Sequence, residues 1–130
     1  MVGKCFYHDT FPKGDHLFVV LAPSLEQEGW FICVNITTKR KGSDTTCELP
    51  QGCHQEMRNP VSVVLYAQAR ELPPALIERL TREQKIPDMP PETLSHIQTC
   101  AVSEDSRMRP LLKKGIVKQL QGASSNLQGH

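Results

Sequence analysis

The sequence predicts a mainly β domain with α additions, a small antiparallel barrel or sandwich followed by two or three short helices. Three observations lead there. Runs 15–22, 30–38, 45–49 and 61–67 read as strands and are separated by turn-forming stretches, with no helical segment between them. Parallel pairing would need crossovers of about a dozen residues, so such a series pairs antiparallel. Beyond residue 72 the apolar spacing changes to that of helices. The 130-residue length suits a single domain, with the β part at about 14–72, the helical part at about 73–120 and a flexible tail at 121–130.

Residues 15–22, DHLFVVLA, form a near-continuous apolar run between Gly14 and Pro23-Ser24, as a buried strand does. Residues 24–29, SLEQEG, are a polar connection. In WFICVNITT (30–38), Ile32, Val34 and Ile36 alternate with Cys33, Asn35 and Thr37. This strand runs into Lys39-Arg40-Lys41 and the turn Gly42-Ser43-Asp44. TTCEL (45–49) is a short strand, residues 50–60 are a loop, and VSVVLYA (61–67) is a strand that Ala69–Leu72 can extend. Trp30 and Tyr66 are expected in the core or at its rim.

Pro73 and Pro74 open a helix carrying Leu76, Ile77 and Leu80, since proline fits a first turn. KIPDMPP (85–91) is too proline-rich to be helical. Leu94, Ile97 and Ala101 mark a second helix over 92–101, and residues 103–106 break the chain again. Leu111, Leu112, Ile116 and Leu120 line a third helix, with Lys113, Lys114 and Lys118 on its other side. Gly115 weakens that helix by about 1 kcal/mol relative to alanine. Helices this short are marginal alone, so they are expected to pack on the β part or to mediate self-association.

Fifteen Lys and Arg against fourteen Asp and Glu leave a net charge of +1, so bulk charge does not mark a nucleic-acid binder. Only a local basic patch could do so. No apolar run approaches the roughly 20 residues of a membrane span, and the first residues lack a secretory apolar core. Five cysteines without a tight spacing fit a reducing compartment, so a cytoplasmic protein is expected.

Three constellations are chemically suggestive. Thr37, Thr38, Lys39, Arg40 and Lys41 offer hydroxyls and cations to a phosphate backbone; the same residues also make an ordinary strand end with a solvated turn. His16 and His54 sit at strand ends as a candidate acid/base pair, or as two locally hydrogen-bonded side chains. Cys5-x-x-His8 and Cys53-His54, with Cys47 nearby, supply zinc-ligand types, yet no paired CxxC spacing is present. Neither a metal nor a cofactor is expected.

The order of elements resembles the PemK/MazF-type toxins, which are SH3-like barrels with helical additions. HLFVVLAPS (16–24) is similar to the strand after their first loop, FICVNITTK (31–39) to their central strand, and NPVSVVLYAQARELPPALIERL (59–80) to their last strands and following helix. The likeness covers about 14–80 and leaves 85–120 outside. Gly52-Cys53-His54 and Ser62–Ala67 also resemble a Gly-acid-His-Pro-Phe stretch and a Ser-Val-Val-x-Tyr-Ala strand of small bacterial proteins, with Gln55-Glu56-Met57 departing from the first. The resemblance implies an SH3-like barrel, RNA as substrate and an antitoxin-like partner; a homodimer is the expectation if the helices mediate self-association. It also implies a functional hydroxyl at Thr37 or Thr38 and an arginine where this chain has His16. Histidine can move a proton near neutral pH but cannot clamp phosphate bidentately. An endoribonuclease-like protein with a degenerate site is the leading expectation. A non-enzymatic interaction module acting through the helices is the alternative.

Overall fold

The computed structural model describes the backbone of residues 1–10 and 14–128, with side chains to residue 122. Five strands precede three helices: β1 (Cys5–Asp9), β2 (Asp15–Pro23), β3 (Phe31–Thr38), β4 (Glu48–Pro50), β5 (Val61–Leu72), α1 (Pro74–Gln84), α2 (Pro91–Ala101) and α3 (Pro110–Gln128). Each helix opens on a proline, whose fixed φ suits the first turn and whose missing N–H is not needed there.

All strand pairs are antiparallel, in the order β1-β2-β3-β5-β4. Among the described residues no pairing joins β1 to β4, so the sheet is open where a closed barrel was expected. Both edges are blunted. β4 has only three residues and ends on Pro50, which cannot donate to a further ladder. At β1 the Gln84 side chain stands in for a strand, accepting from the Tyr7 N–H at 2.6 Å and donating to the Tyr7 carbonyl at 2.8 Å.

Sequence reading missed β1. CFYHD shows no clean alternation because both faces of the sheet are covered where β1 begins, so that adjacent Cys5 and Phe6 are both buried. β4 is shorter than expected because Asp44 Oδ1 accepts from both the N–H and the hydroxyl of Thr46, folding that stretch into a turn. α3 continues past Leu120 to Gln128, through most of the stretch expected to be a tail; residues 129–130 lie outside the described residues.

Cross-strand partners share a face. One face carries Cys5, Val19 and Val34, then Leu17, Ile36 and Val64, and forms the main core with Tyr66, Ile97 and Ile116 under α2 and α3. The Tyr66 hydroxyl donates to the Ile97 carbonyl at 2.8 Å, and Gln98 donates to the Leu21 carbonyl at 2.8 Å, locking α2 in place. The other face carries Phe6, Phe18, Val20, Cys33 and Leu72 against Ile77 of α1. Phe6 and Phe18 stack with centroids 5.8 Å apart. α1 covers only part of this second face, and the uncovered part holds the polar residues described next.

Candidate functional site

The start of β2 and the end of β3 are neighbours, because Leu17 pairs with Ile36. That register brings His16, Thr37 and Thr38 together. They form a rim between two adjoining hollows. One, about 260 Å³, is bounded by Tyr7, Asp15, Glu56 and Asn59. The other, about 330 Å³, is bounded by Arg40, Ser43, Leu65 and Gln68. The second is the cationic side.

His16 has a defined orientation. Thr10 Oγ1 donates its single proton to the Gly14 carbonyl at 2.9 Å, so at 2.6 Å it can only accept from His16 Nδ1–H. Nε2 then carries no hydrogen bond from the described residues. Directly opposite His16 in the β1–β2 register stands His8, whose ring meets Phe18 edge-on at 5.7 Å. His8 therefore shares a sheet face with His16, whereas His54 borders neither hollow that His16 borders. Thr38 Oγ1 accepts from Asn59 Nδ2 at 2.7 Å and keeps its own proton to donate.

His54 is placed elsewhere. It is buried, its Nδ1 accepts from the Glu56 N–H at 3.1 Å, and its Nε2 lies 2.7 Å from the Pro87 carbonyl. Both ring nitrogens are consumed in tying the β4–β5 loop to the α1–α2 linker, and the ring lines neither hollow. The basic run also divides. Lys39 pairs with Glu48 at 2.5 Å, Arg40 borders the cationic hollow, and Lys41 is exposed at the turn.

The structure adds residues that sequence reading passed over. The Arg70 guanidinium lies 5.3 Å from the Phe18 ring centroid, on the face that also carries His16. Asn35, fully buried, donates to Gln68 at 3.3 Å, while its Oδ1 has no protein partner among the described residues. Arg70 and Gln68 lie in the part of β5 read only as a strand extension, and a β-bulge at Cys33/Asn35 sets which of its side chains share this face.

The zinc-ligand types noted in the sequence do not converge as that spacing suggested. Cys5 faces the main core and His8 packs on the opposite face, while His54 is occupied as above. Instead Cys47, His96 and Cys100 place one ligand atom each within 4.8 Å of one another. The signal was an i, i+4 His/Cys pair on one helix face, which sequence reading did not weigh. Burial, with the charge of Asp88 adding to it, pushes the Cys5 thiol up to about 12. Burial likewise pushes Cys47 up to about 12 and raises Cys33. These thiols stay protonated near neutral pH, which argues against a cysteine nucleophile among them.

Compared with protein-family models, curated proteins and solved structures, the chain gives no match. No helix of the described residues is long and apolar enough to cross a membrane.

Proposed function

We propose that the chain is a cytoplasmic RNA-binding protein of PemK/MazF-like, SH3-like-barrel ancestry, with an endoribonuclease-like site on the open part of its sheet. The observation that carries this reading is the rim of His16, Thr37 and Thr38 beside Arg40, with His16 oriented by Thr10 and faced by His8. In the chemistry that fits, His16 Nε2 takes the proton of a ribose 2′-hydroxyl, whose oxygen attacks the adjacent phosphorus. The P–O5′ bond breaks, His8 supplies a proton to the departing 5′ oxygen, and a 2′,3′-cyclic phosphate remains. Arg40 and Arg70 balance the phosphate charge that the resemblance would assign to an arginine at position 16. Gln68 offers an amide to a base edge.

The test is incubation with single-stranded RNA at low salt, following binding and 5′-hydroxyl ends. His16→Ala is expected to lower cleavage by about 100-fold or more, and Thr38→Ala to lower it less. Arg40→Ala should weaken binding uniformly and reduce the salt slope by about 1. Absence of both binding and cleavage in the parent protein overturns the reading.

A second reading, a non-enzymatic interaction module, is favoured by one feature of α3. Pro110, Lys113, Lys114, Val117, Lys118 and Gln121 recur at helical spacing and border a shallow hollow with Val102. Such a basic stripe suits an acidic helix of a partner protein. A monomer by light scattering that captures no partner counts against it.

A further inference from the structure

His96 and Cys100 lie one turn apart on α2, and both ring nitrogens of His96 are 3.8–3.9 Å from Cys100 Sγ. Cys47 reaches the same point from the segment before β4, where its carbonyl accepts from the Val64 N–H at 3.3 Å and fixes the backbone. The Tyr66–Ile97 hydrogen bond holds α2 at this distance from the sheet. All three donor atoms fall within 4.8 Å of each other. A tetrahedral zinc ion, with Zn–S of about 2.3 Å and Zn–N of about 2.0–2.1 Å, sets its ligand atoms roughly 3.5–3.8 Å apart. The cluster therefore needs only small side-chain adjustments to close on such an ion.

We propose that Cys47, His96 and Cys100 bind one zinc ion, with a water in the fourth position. Two thiolates and an imidazole select a borderline-soft cation over magnesium or calcium. On binding, two Zn–S bonds form as two thiol protons leave to solvent, and His96 binds through the lone pair of a neutral ring nitrogen. His96 is exposed and Cys100 half-buried, so an ion has a route in, whereas Cys47 is buried. The ion ties the loop that begins at Lys39-Arg40-Lys41 to α2, close to where Thr46 Oγ1 lies 3.3 Å from the Asp105 carbonyl oxygen. Zinc thereby braces the basic turn from its far end.

The test uses the full chain, stripped with a chelator and kept reduced by a phosphine, because a Cys47–Cys100 disulfide would consume the same sulfurs. Cobalt is titrated first. One equivalent should give tetrahedral d–d bands and a thiolate-to-cobalt charge-transfer band, both abolished by one equivalent of zinc. Zinc at about 100-fold over its dissociation constant should raise the melting temperature by roughly 5–10 °C. His96→Ala, a surface change that leaves the apo fold intact, and Cys100→Ser should each weaken zinc at least about tenfold. Cys33→Ala, on the opposite face of the sheet, should not. Absence of a stoichiometric cobalt complex, or a His96→Ala protein that binds zinc as tightly as the parent, overturns the assignment.

Discussion

Gly115 of α3 lies so close to β3 that a β-carbon there would stand 2.7 Å from Ile32 Cδ1 and 3.0 Å from the Pro23 carbonyl oxygen. Its φ is not in the left-handed region, so the glycine is present for close approach rather than backbone freedom. Propensity alone says that Gly115→Ala strengthens the helix by about 1 kcal/mol. The contact says the reverse, because the Pro23 carbonyl belongs to the backbone and cannot turn away. Gly115→Ala is expected to destabilise the protein by about 1–3 kcal/mol, read as a lower urea midpoint at unchanged slope. A stabilised variant would show that α3 does not seat on the sheet in this way.

His54 and His16 should separate cleanly in mutants. His54→Ala removes the partner of the Pro87 carbonyl and of the Glu56 N–H, two part-buried hydrogen bonds that contribute about 0.5–1.5 kcal/mol each. Its effect should appear in denaturant melts, with RNA cleavage by the folded fraction close to the parent's. His16→Ala should show the opposite pattern. Equal loss of cleavage in both variants, at matched folded fraction, would restore His54 to the site.

Gln84→Ala removes the side chain that pairs with both backbone groups of Tyr7. About 1–2 kcal/mol of stability should go with these two bonds. Hydrogen exchange at the Tyr7 amide should accelerate more than at Val19 in the neighbouring strand. An exposed β1 edge is also a template for strand addition, so light scattering on heating should rise earlier.

Alkaline pH should weaken the fold through the buried Cys5 thiol. Cys5 holds its proton up to about 12 when folded, against an ordinary 9.0, and burial raises Tyr66 as well. Between about pH 9 and 12 the unfolded chain binds fewer protons than the folded one, so stability falls as pH rises. The contribution is complete below about pH 9 and is lost toward pH 12, at up to about 1.4 kcal/mol per pH unit for this thiol. Urea midpoints at pH 8 and 10.5, with reductant present, measure it. A Cys5→Ala protein should show a shallower loss.

Local pattern determined most of the elements of this protein. The apolar run at 17–22, the alternation at 32–36 and the strand opening at Val61 were legible because a strand's period is a property of neighbouring residues. Pro73-Pro74 and the spacing of Leu76, Ile77 and Leu80, of Leu94, Ile97 and Ala101, and of Leu111, Leu112 and Ile116 placed the helices in the same way, whereas Pro91 and Pro110 were recognised as helix starts only in the structure. Thr37 and Thr38 could be marked as a strand end carrying hydroxyls. Only the tertiary structure decided what meets them. Pairing of Leu17 with Ile36 brought His16 to that end, and β1, invisible because both faces are covered where it begins, set His8 opposite. His54 went instead to the Pro87 carbonyl, a partner fixed by how two loops close. Gly115 changed from a weak point in a helix to the condition for its packing, and Cys47 met His96 and Cys100 across the core. Register, bulges and helix seating join residues far apart in the chain, and no periodicity within one segment carries that information.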